Sequence, residues 1–250
     1  MHSIFNRRVL PRAACAASLM LAACNDGNTM GNASAAPAGV GKQASYMLVT
    51  RTRPENPEVY LKTIRAAYAF CAEVARHTGL EVSPFPTVPA DYLQERTVYA
   101  SDGKRHMLRR IRDDIDIRKM SPEHGCKASL SNTWSTGLTI GDRERTGERD
   151  IDGQVHFGEL PVNPEEAVRP SLLAIHTQPK RVNGVPLKCS AEGGCIVDPA
   201  VVVVKLGYSP VTAAMRVENM PLYGTVITEP VSLTVGTPLD PAVFSVEKGD

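Results

Sequence analysis

The chain has 250 residues, of which 42% are hydrophobic, 22% charged and 5% aromatic, so it is long enough to bury one sizeable core. Its 28 Lys and Arg residues nearly balance its 27 Asp and Glu residues, which excludes the strongly basic character of nucleic-acid-binding proteins. The 19 Gly and 19 Pro residues disfavour coiled coils and long helical repeats. We therefore expect a globular body and no nucleic-acid partner.

The first 23 residues have the layout of an export signal. Arg7, Arg8 and Arg12 precede an apolar run over residues 13–23, and no acidic residue is present. This run is shorter than the roughly 20 residues that a transmembrane helix needs, so a cleaved signal peptide fits it better.

The export signal ends in Leu21-Ala22-Ala23-Cys24, which resembles the lipobox of bacterial lipoproteins. The resemblance implies that residues 1–23 are removed, that Cys24 carries acyl chains such as palmitate, and that the protein is held on a membrane, facing the periplasm. Asn25 after the cysteine favours the outer membrane by the same resemblance. The alternative is an ordinary signal peptide that is cleaved elsewhere.

A flexible tether is predicted over residues 24–45. This stretch is rich in Gly, Ala, Ser and Asn and has no periodic apolar pattern, which is typical of linkers. We place the folded domain over residues 46–250.

Four further cysteines follow Cys24, and an even number in an exported chain predicts disulfides. Cys189 and Cys195 flank a turn-like stretch that can bring them within bridging distance, which leaves Cys71 to pair with Cys126. A zinc site is the rival, but the chain has no CxxC motif and no histidine at ligand spacing. We expect no metal and no cofactor.

One amphipathic helix is predicted over residues 57–78. The segment Asn56-Pro57-Glu58 combines an N-cap, a proline in the first turn and an acidic residue near the positive end of the helix dipole. Gly79 is a typical helix terminator. Apolar residues recur between them at intervals of three and four, namely Leu61, Ile64, Tyr68, Cys71 and Ala75.

Beyond residue 96 the apolar period changes to two, which indicates strands. Asp102-Gly103 between apolar runs predicts a hairpin, and Ile111 and Ile115 mark one buried face. The same alternation recurs three times later in the chain, with an expected buried set of Ile151, Val155, Phe157, Val211, Ala213, Met215, Val217, Val231, Leu233 and Val235.

Two other stretches do not alternate in this way. The uniformly apolar Val201–Val204 predicts a strand covered on both faces. The alternating charges of Gly141–Asp150 predict a solvated hairpin loop.

No second helix separates the predicted strands, so the fold class is α+β, a single domain in which one helix packs on a curved antiparallel sheet. The C-terminal course resembles the end of periplasmic lipoprotein-carrier-like half-barrel proteins. The segments that carry this resemblance are Val197-Asp198-Pro199, Gly207-Tyr208-Ser209, the strands 212–219 and 231–235, and Pro238-Leu239-Asp240-Pro241-Ala242-Val243-Phe244. The resemblance implies a sheet that wraps around an apolar cavity holding acyl chains.

The sequence favours a non-enzymatic, membrane-tethered module that binds an apolar ligand or an envelope protein. Motifs for serine hydrolases, HExxH metalloproteases and nucleotide binding are absent from the sequence. The helix residues Leu61, Ile64, Tyr68 and Ala75 are the candidate ligand contacts. They are expected to face Ile111, Ile115, Val155, Val203 and Met215 across a cavity of roughly 300 Å³ or more.

The alternative is a lipid-anchored hydrolase or metal-dependent enzyme. Asp114 and Asp116 would lie on the same side of a strand and could act as an acid–base pair or hold a cation, together with an unidentified histidine. Ion pairing of both carboxylates with the neighbouring arginines is the simpler account of the same pattern.

Overall fold

A large antiparallel sheet organises residues 44–162 and 167–247, which the computed structural model describes. The elements are β1 (Tyr46–Pro54), α1 (Pro57–His77), β2 (Gln94–Ser101), β3 (Arg105–Asp116), a 3-10 turn (Pro122–His124), β4 (Ser129–Ile140), β5 (Arg143–Arg149), β6 (Val155–Pro161), α2 (Pro170–Ala174), β7 (Gln178–Val182), β8 (Val185–Cys189), β9 (Cys195–Val197), β10 (Lys205–Leu206), β11 (Ser209–Pro210), β12 (Thr212–Met220), β13 (Gly224–Val235) and a second 3-10 turn (Pro241–Phe244).

Eleven strands form the sheet in the order β6-β5-β4-β3-β2-β1-β13-β12-β9-β8-β7, and each neighbouring pair is antiparallel. Most neighbours are consecutive in the chain, whereas β1 lies between β2 and β13 and so joins the two ends of the domain. The antiparallel sheet and one main helix agree with the sequence analysis. Because little helix is present, α+β describes the fold loosely.

Helix α1 begins and ends close to its predicted limits. The Asn56 side chain accepts a hydrogen bond from the backbone N–H of Glu58, and Arg76 and His77 lie in the last turn, where they complement the negative end of the helix dipole. The buried residues of α1 are Tyr60, Leu61, Ile64, Cys71, Ala72 and Ala75. Leu61 and Ile64 pack with Ile115 of β3 in one apolar cluster, so the helix lies against that part of the sheet.

The two faces of the sheet differ in what covers them, and we name them after adjacent residues of β3. The Ile111 face carries the buried Met107 and Leu138, which pack against Phe244 and Val246 of the C-terminal segment. This segment therefore covers part of the Ile111 face.

The opposite face, the Arg110 face, is covered only in part. Tyr46 and Leu48 of β1 share an apolar cluster with Leu187 of β8 and Val204. In a flat sheet β8 would lie four strand spacings, or about 19 Å, from β1. The β7–β9 end therefore folds back over β1. We call β1 and the strands β7–β9 that fold over it the closed half of the sheet, and β3–β6, whose Arg110 face is exposed at Arg110, Glu148 and His156, the open half.

Several strand residues expected to be buried are exposed, and these expectations were wrong. Val155 and Phe157 of β6 are 48% and 59% exposed because nothing covers this end strand in the described structure, and Ile151 lies in an exposed turn. In β12 a register irregularity between Thr212 and Ala214 buries Ala213 and Ala214 together, so Met215 points outward.

Similar local irregularities explain the remaining differences. A register shift opposite Val49 and Thr50 leaves Val231 as the extra residue of β13, 46% exposed. Val201–Val204 is not a strand, because the N–H groups of Val201 and Val202 bond back to the Asp198 carbonyl in a turn. Residues 143–149 form the paired strand β5 instead of a loop.

Candidate functional site

An open cleft of about 400 Å³ lies on the Arg110 face of the open half. The unbroken register of β3, β4, β5 and β6 builds it, because residues directly opposite each other share a sheet face. One row across the strands contains Arg110, Ser135, Glu148 and His156.

The next row consists of Leu108, Gly137, Thr146 and Gly158, and these small residues form the floor of the cleft. A Cβ atom at Gly137 would collide with the Glu144 carboxylate, which lies over this position. Gly137 therefore lets an acidic side chain lie flat across β4.

The cleft is lined by charges of both signs. Arg110 and Glu148 are exposed, and Glu144 is half-buried. His156 Nε2 lies 3.3 Å from an Asp150 carboxylate oxygen. Burial opposes ionisation of Asp150, but hydrogen bonds from the Gln154 N–H and the His156 ring outweigh it and lower its pKa. A surface of this kind suits a polar partner better than an acyl chain.

A second polar cluster surrounds Asp114 at the end of β3 nearest to α1. Tyr60 of α1 and Tyr223 of the β12–β13 connection stack at 4.6 Å between ring centroids. Asp114 Oδ1 accepts hydrogen bonds from the Ile115 N–H at 2.8 Å and the Tyr60 hydroxyl at 3.4 Å. Its Oδ2 accepts from Arg112 at 2.5 Å and the Tyr223 hydroxyl at 3.3 Å. Asp114 thus ties the helix and the connection to β3.

Burial and neighbouring charges shift the pKa of Tyr60, Tyr223 and Arg112 in this cluster. Burial and the Asp114 charge raise the pKa of both Tyr60 and Tyr223, so both phenols stay neutral. Burial opposes the charge on Arg112, but Asp114 outweighs it and raises the pKa of the guanidinium. The two phenols and the guanidinium therefore remain hydrogen-bond donors to Asp114 at neutral pH.

Asp116, the second carboxylate of the predicted acid–base pair, forms an ion pair with an arginine that does not contact Asp114. Arg118 pairs with Asp116 at 3.0 Å and with Asp152 at 2.8 Å, and its hydrogen bond lowers the pKa of Asp116. Because separate arginines engage Asp114 and Asp116, the two carboxylates do not share a proton or a cation here. Over residues 44–162 and 167–247, no group of three His, Cys, Asp or Glu residues is placed to hold a metal ion.

The four predicted ligand contacts on α1 pack against protein. Leu61 and Ile64 lie in the apolar cluster with Ile115, and Ala75 is fully buried beside the Cys71–Cys126 disulfide. Tyr68 donates a hydrogen bond to the Ser83 carbonyl and packs edge-on against Phe85. Of the five residues expected to face them, only Ile115 is in their cluster.

A smaller cleft of about 190 Å³ opens beside the Asp114 cluster. Its lining combines apolar residues such as Leu93, Met220 and Val226 with charged ones such as Arg112 and Asp113. It is smaller than the 300 Å³ that ligand pockets usually exceed.

Both predicted disulfides are present. Cys71 of α1 bonds to Cys126 after β3, with a Cα–Cα distance of 5.8 Å, and Cys189 bonds to Cys195, its directly opposite neighbour on β9. Cys24, the signal peptide and nearly all of the predicted tether lie outside the described residues. No helix in the described part of the chain is both long and apolar enough to cross a membrane.

Sequence reasoning missed two parts of these sites. Tyr60 and Tyr223 are 163 residues apart, and nothing in the local pattern around Tyr223 indicates its position. The row of Arg110, Ser135, Glu148 and His156 could have been found only by pairing the strands in register, and residues 143–149 were assigned to a loop. The alternation of Arg and Glu in that segment was the available signal, because it has the period of a strand.

No protein-family model matches this sequence, and a search of curated proteins gave no significant match.

Proposed function

We propose that this protein is a membrane-anchored periplasmic lipoprotein whose folded domain is a non-enzymatic module that binds an envelope protein on the Arg110 face of its open half. The observation that carries the proposal is the 400 Å³ cleft, where Arg110, Glu148 and His156 lie in register on an uncovered sheet face. A partner surface with charges of both signs would complement it.

Two features favour a protein partner over an apolar ligand. The helix residues that would contact a greasy molecule are packed against protein side chains. The cleft next to the helix is small, at about 190 Å³, whereas the cleft of about 400 Å³ has charged side chains of both signs in its lining, among them Arg110 and Glu148. Of the two ligand classes that the sequence leaves open, the envelope protein is therefore the better supported.

Anchoring through Cys24 is the second part of the proposal, and it rests on the lipobox-like Leu21-Ala22-Ala23-Cys24. Two or three acyl chains would hold the protein firmly on a membrane, whereas one chain gives only reversible binding. The 20 residues from 24 to 43 could extend to about 70 Å at most. The domain could thus reach a partner at some distance from the membrane surface.

Site-specific crosslinking in intact cells tests the partner-binding face. A photoreactive amino acid replacing Ser135 should give one crosslinked species of defined mass, and the same amino acid at Lys62, exposed on α1, should not. Arg110→Glu should abolish the Ser135 species. Arg145→Glu, on the opposite face of β5, is the matched control and should preserve it. The absence of a Ser135 species, or its persistence in Arg110→Glu, would contradict the proposal.

Mass spectrometry of membrane-extracted protein tests the anchor separately. The N-terminal peptide should begin at Cys24 and carry acyl mass, and Cys24→Ala should remain unprocessed or be released from the membrane. An unmodified N-terminus at another residue would show that the export signal is an ordinary one.

A further inference from the structure

Strand β6 lies at one end of the eleven-stranded sheet, and no other strand in the described residues pairs with its outer edge. The Asp150 N–H bonds to the Gln154 carbonyl and the Val162 N–H bonds to the Asp142 carbonyl, at the two ends of the β5–β6 ladder. Hydrogen-bonded and non-bonded positions alternate in an antiparallel ladder. The backbone N–H groups of Val155, Phe157 and Glu159 therefore point away from β5.

This edge lacks the usual protection against pairing with another strand. All seven residues of β6 are exposed, and the exposed fractions of Val155, Phe157 and Leu160 are 48%, 59% and 55%. The strand contains no lysine, and its register with β5 is unbroken. Its only proline, Pro161, is the last residue. Edges that stay unpaired usually carry lysine, internal proline or a bulge.

The opposite end of the sheet has this protection. Strand β7 is only five residues long, and it contains Pro179, Lys180 and Arg181. The two ends of one sheet thus differ in the features that prevent edge pairing.

We propose that β6 is a self-association edge, at which two copies of this chain pair antiparallel about a two-fold axis through Phe157. In this register Phe157 lies opposite Phe157 of the second copy, and Val155 lies opposite Glu159 of the second copy. All three outward N–H groups of each strand then face carbonyls, which gives six hydrogen bonds.

The side chains fit this register. The two Phe157 residues lie directly opposite each other, and each ring also packs over Gly147 of its own β5; cross-strand aromatic pairs stabilise antiparallel sheets. His156 meets Gly158 of the second copy, which leaves room for the imidazole ring. No like charges lie directly opposite each other. Moving the axis to Gly158 would keep six hydrogen bonds but place Phe157 opposite Glu159, so the aromatic pair would be lost.

A second copy of this chain is the partner that the β6 edge favours, because in the Phe157-centred register the same strand supplies both sides of the pairing. The proposed envelope-protein site shares His156 of β6 with this edge. Arg110 lies three strands away from the edge, so Arg110→Glu tests the envelope-protein site alone and should leave self-association unchanged.

Cysteine crosslinking of the full-length chain in detergent tests the register. Residues paired across the axis would have Cα atoms about 5.5 Å apart, within the range of a disulfide. Phe157→Cys should form a disulfide-linked dimer on mild oxidation, at least tenfold faster than Lys180→Cys on the opposite edge. A mixture of Val155→Cys and Glu159→Cys proteins should crosslink, whereas either protein alone should not.

Sedimentation velocity supplies a second measurement without added cysteines. The parent chain should self-associate at tens of micromolar. Phe157→Lys should weaken association at least tenfold. Val201→Lys introduces the same charge at an exposed valine outside β6 and should have no effect. Crosslinking of Phe157→Cys no faster than Lys180→Cys, or a parent chain that remains monomeric at 100 µM, would overturn the proposal.

Discussion

The closed and open halves of the sheet contain similar alternating strands but have opposite surroundings. In the closed half, Tyr46 and Leu48 of β1 are 1% and 0% exposed because β8, β9 and Val204 lie over them. In the open half, Arg110, Glu148 and His156 occupy the corresponding face and remain exposed. The Ile111 face is buried at Met107 and Leu138 by the C-terminal segment.

The comparison shows that a strand's own pattern does not decide whether a face is covered. The closed half is stabilised by chain segments distant in sequence, and the open half is free to present a recognition surface. The Cys189–Cys195 disulfide lies in the closed half, and the Cys71–Cys126 disulfide joins α1 to the connection between β3 and β4, so the two regions can be perturbed separately.

Removing disulfides should give the largest effects. In the chain-entropy model the Cys71–Cys126 bridge, with a sequence separation of 55, contributes about 4 kcal/mol to the free energy of unfolding, and the Cys189–Cys195 bridge, with a separation of 6, contributes under about 3 kcal/mol. Urea unfolding of the two double-alanine variants measures both. A larger loss from Cys189→Ala/Cys195→Ala would show that native-state packing dominates over loop length.

Shortening a leucine should separate the halves directly. Leu48→Ala in the closed half removes a fully buried side chain and should lower the free energy of unfolding by about 2–5 kcal/mol. Leu160→Ala in the open half, at a side chain 55% exposed, should change it by less than about 0.5 kcal/mol. Equal losses in urea unfolding would mean that β6 is covered in solution.

Neighbouring arginines of β3 should respond differently to the same substitution. Arg109, on the Ile111 face, is 7% exposed and donates to the Ser245 carbonyl at 2.5 Å and to Thr136 Oγ1 at 3.3 Å. Arg109→Gln should cost roughly 1–3 kcal/mol and speed hydrogen exchange of the amides around Ser245. Arg110→Gln, on the exposed face, should change neither the free energy of unfolding nor this hydrogen exchange. Equal exchange rates around Ser245 in the two variants would contradict this role of Arg109.

The smallest effect should come from Asp116 in the open half. Because Arg118 lowers its folded-state pKa below the unfolded value, Asp116 contributes stability above about pH 4, and the contribution is lost as pH falls through the folded pKa. Asp116→Asn should therefore lower the free energy of unfolding by under about 1 kcal/mol at pH 6 and by less at pH 2. The exposed Asp91 provides a control, since Asp91→Asn should change the free energy of unfolding by less than about 0.5 kcal/mol.

The sequence predicted only those parts of the sites that depend on neighbouring residues of one strand or on the pairing of cysteines. Asp114 was correctly placed on a strand facing arginines, but its two tyrosine partners come from α1 and the β12–β13 connection. The candidate cleft was missed because its four-strand row exists only when β3 to β6 are in register. The proposed envelope-protein site therefore depends on strand pairing that local patterns did not reveal.

The sequence by itself determined the helix start at Asn56, the Asp102-Gly103 hairpin, the antiparallel character of the sheet and the disulfide pairs. These features depend on backbone preferences over a few residues or on the small number of cysteine pairings. Only the tertiary structure decided that Leu48 would be covered and Phe157 exposed, and that irregularities would turn Met215 and Val231 outward. Burial depends on which distant segment folds over a face, and a one-residue shift in a strand reverses every side chain that follows.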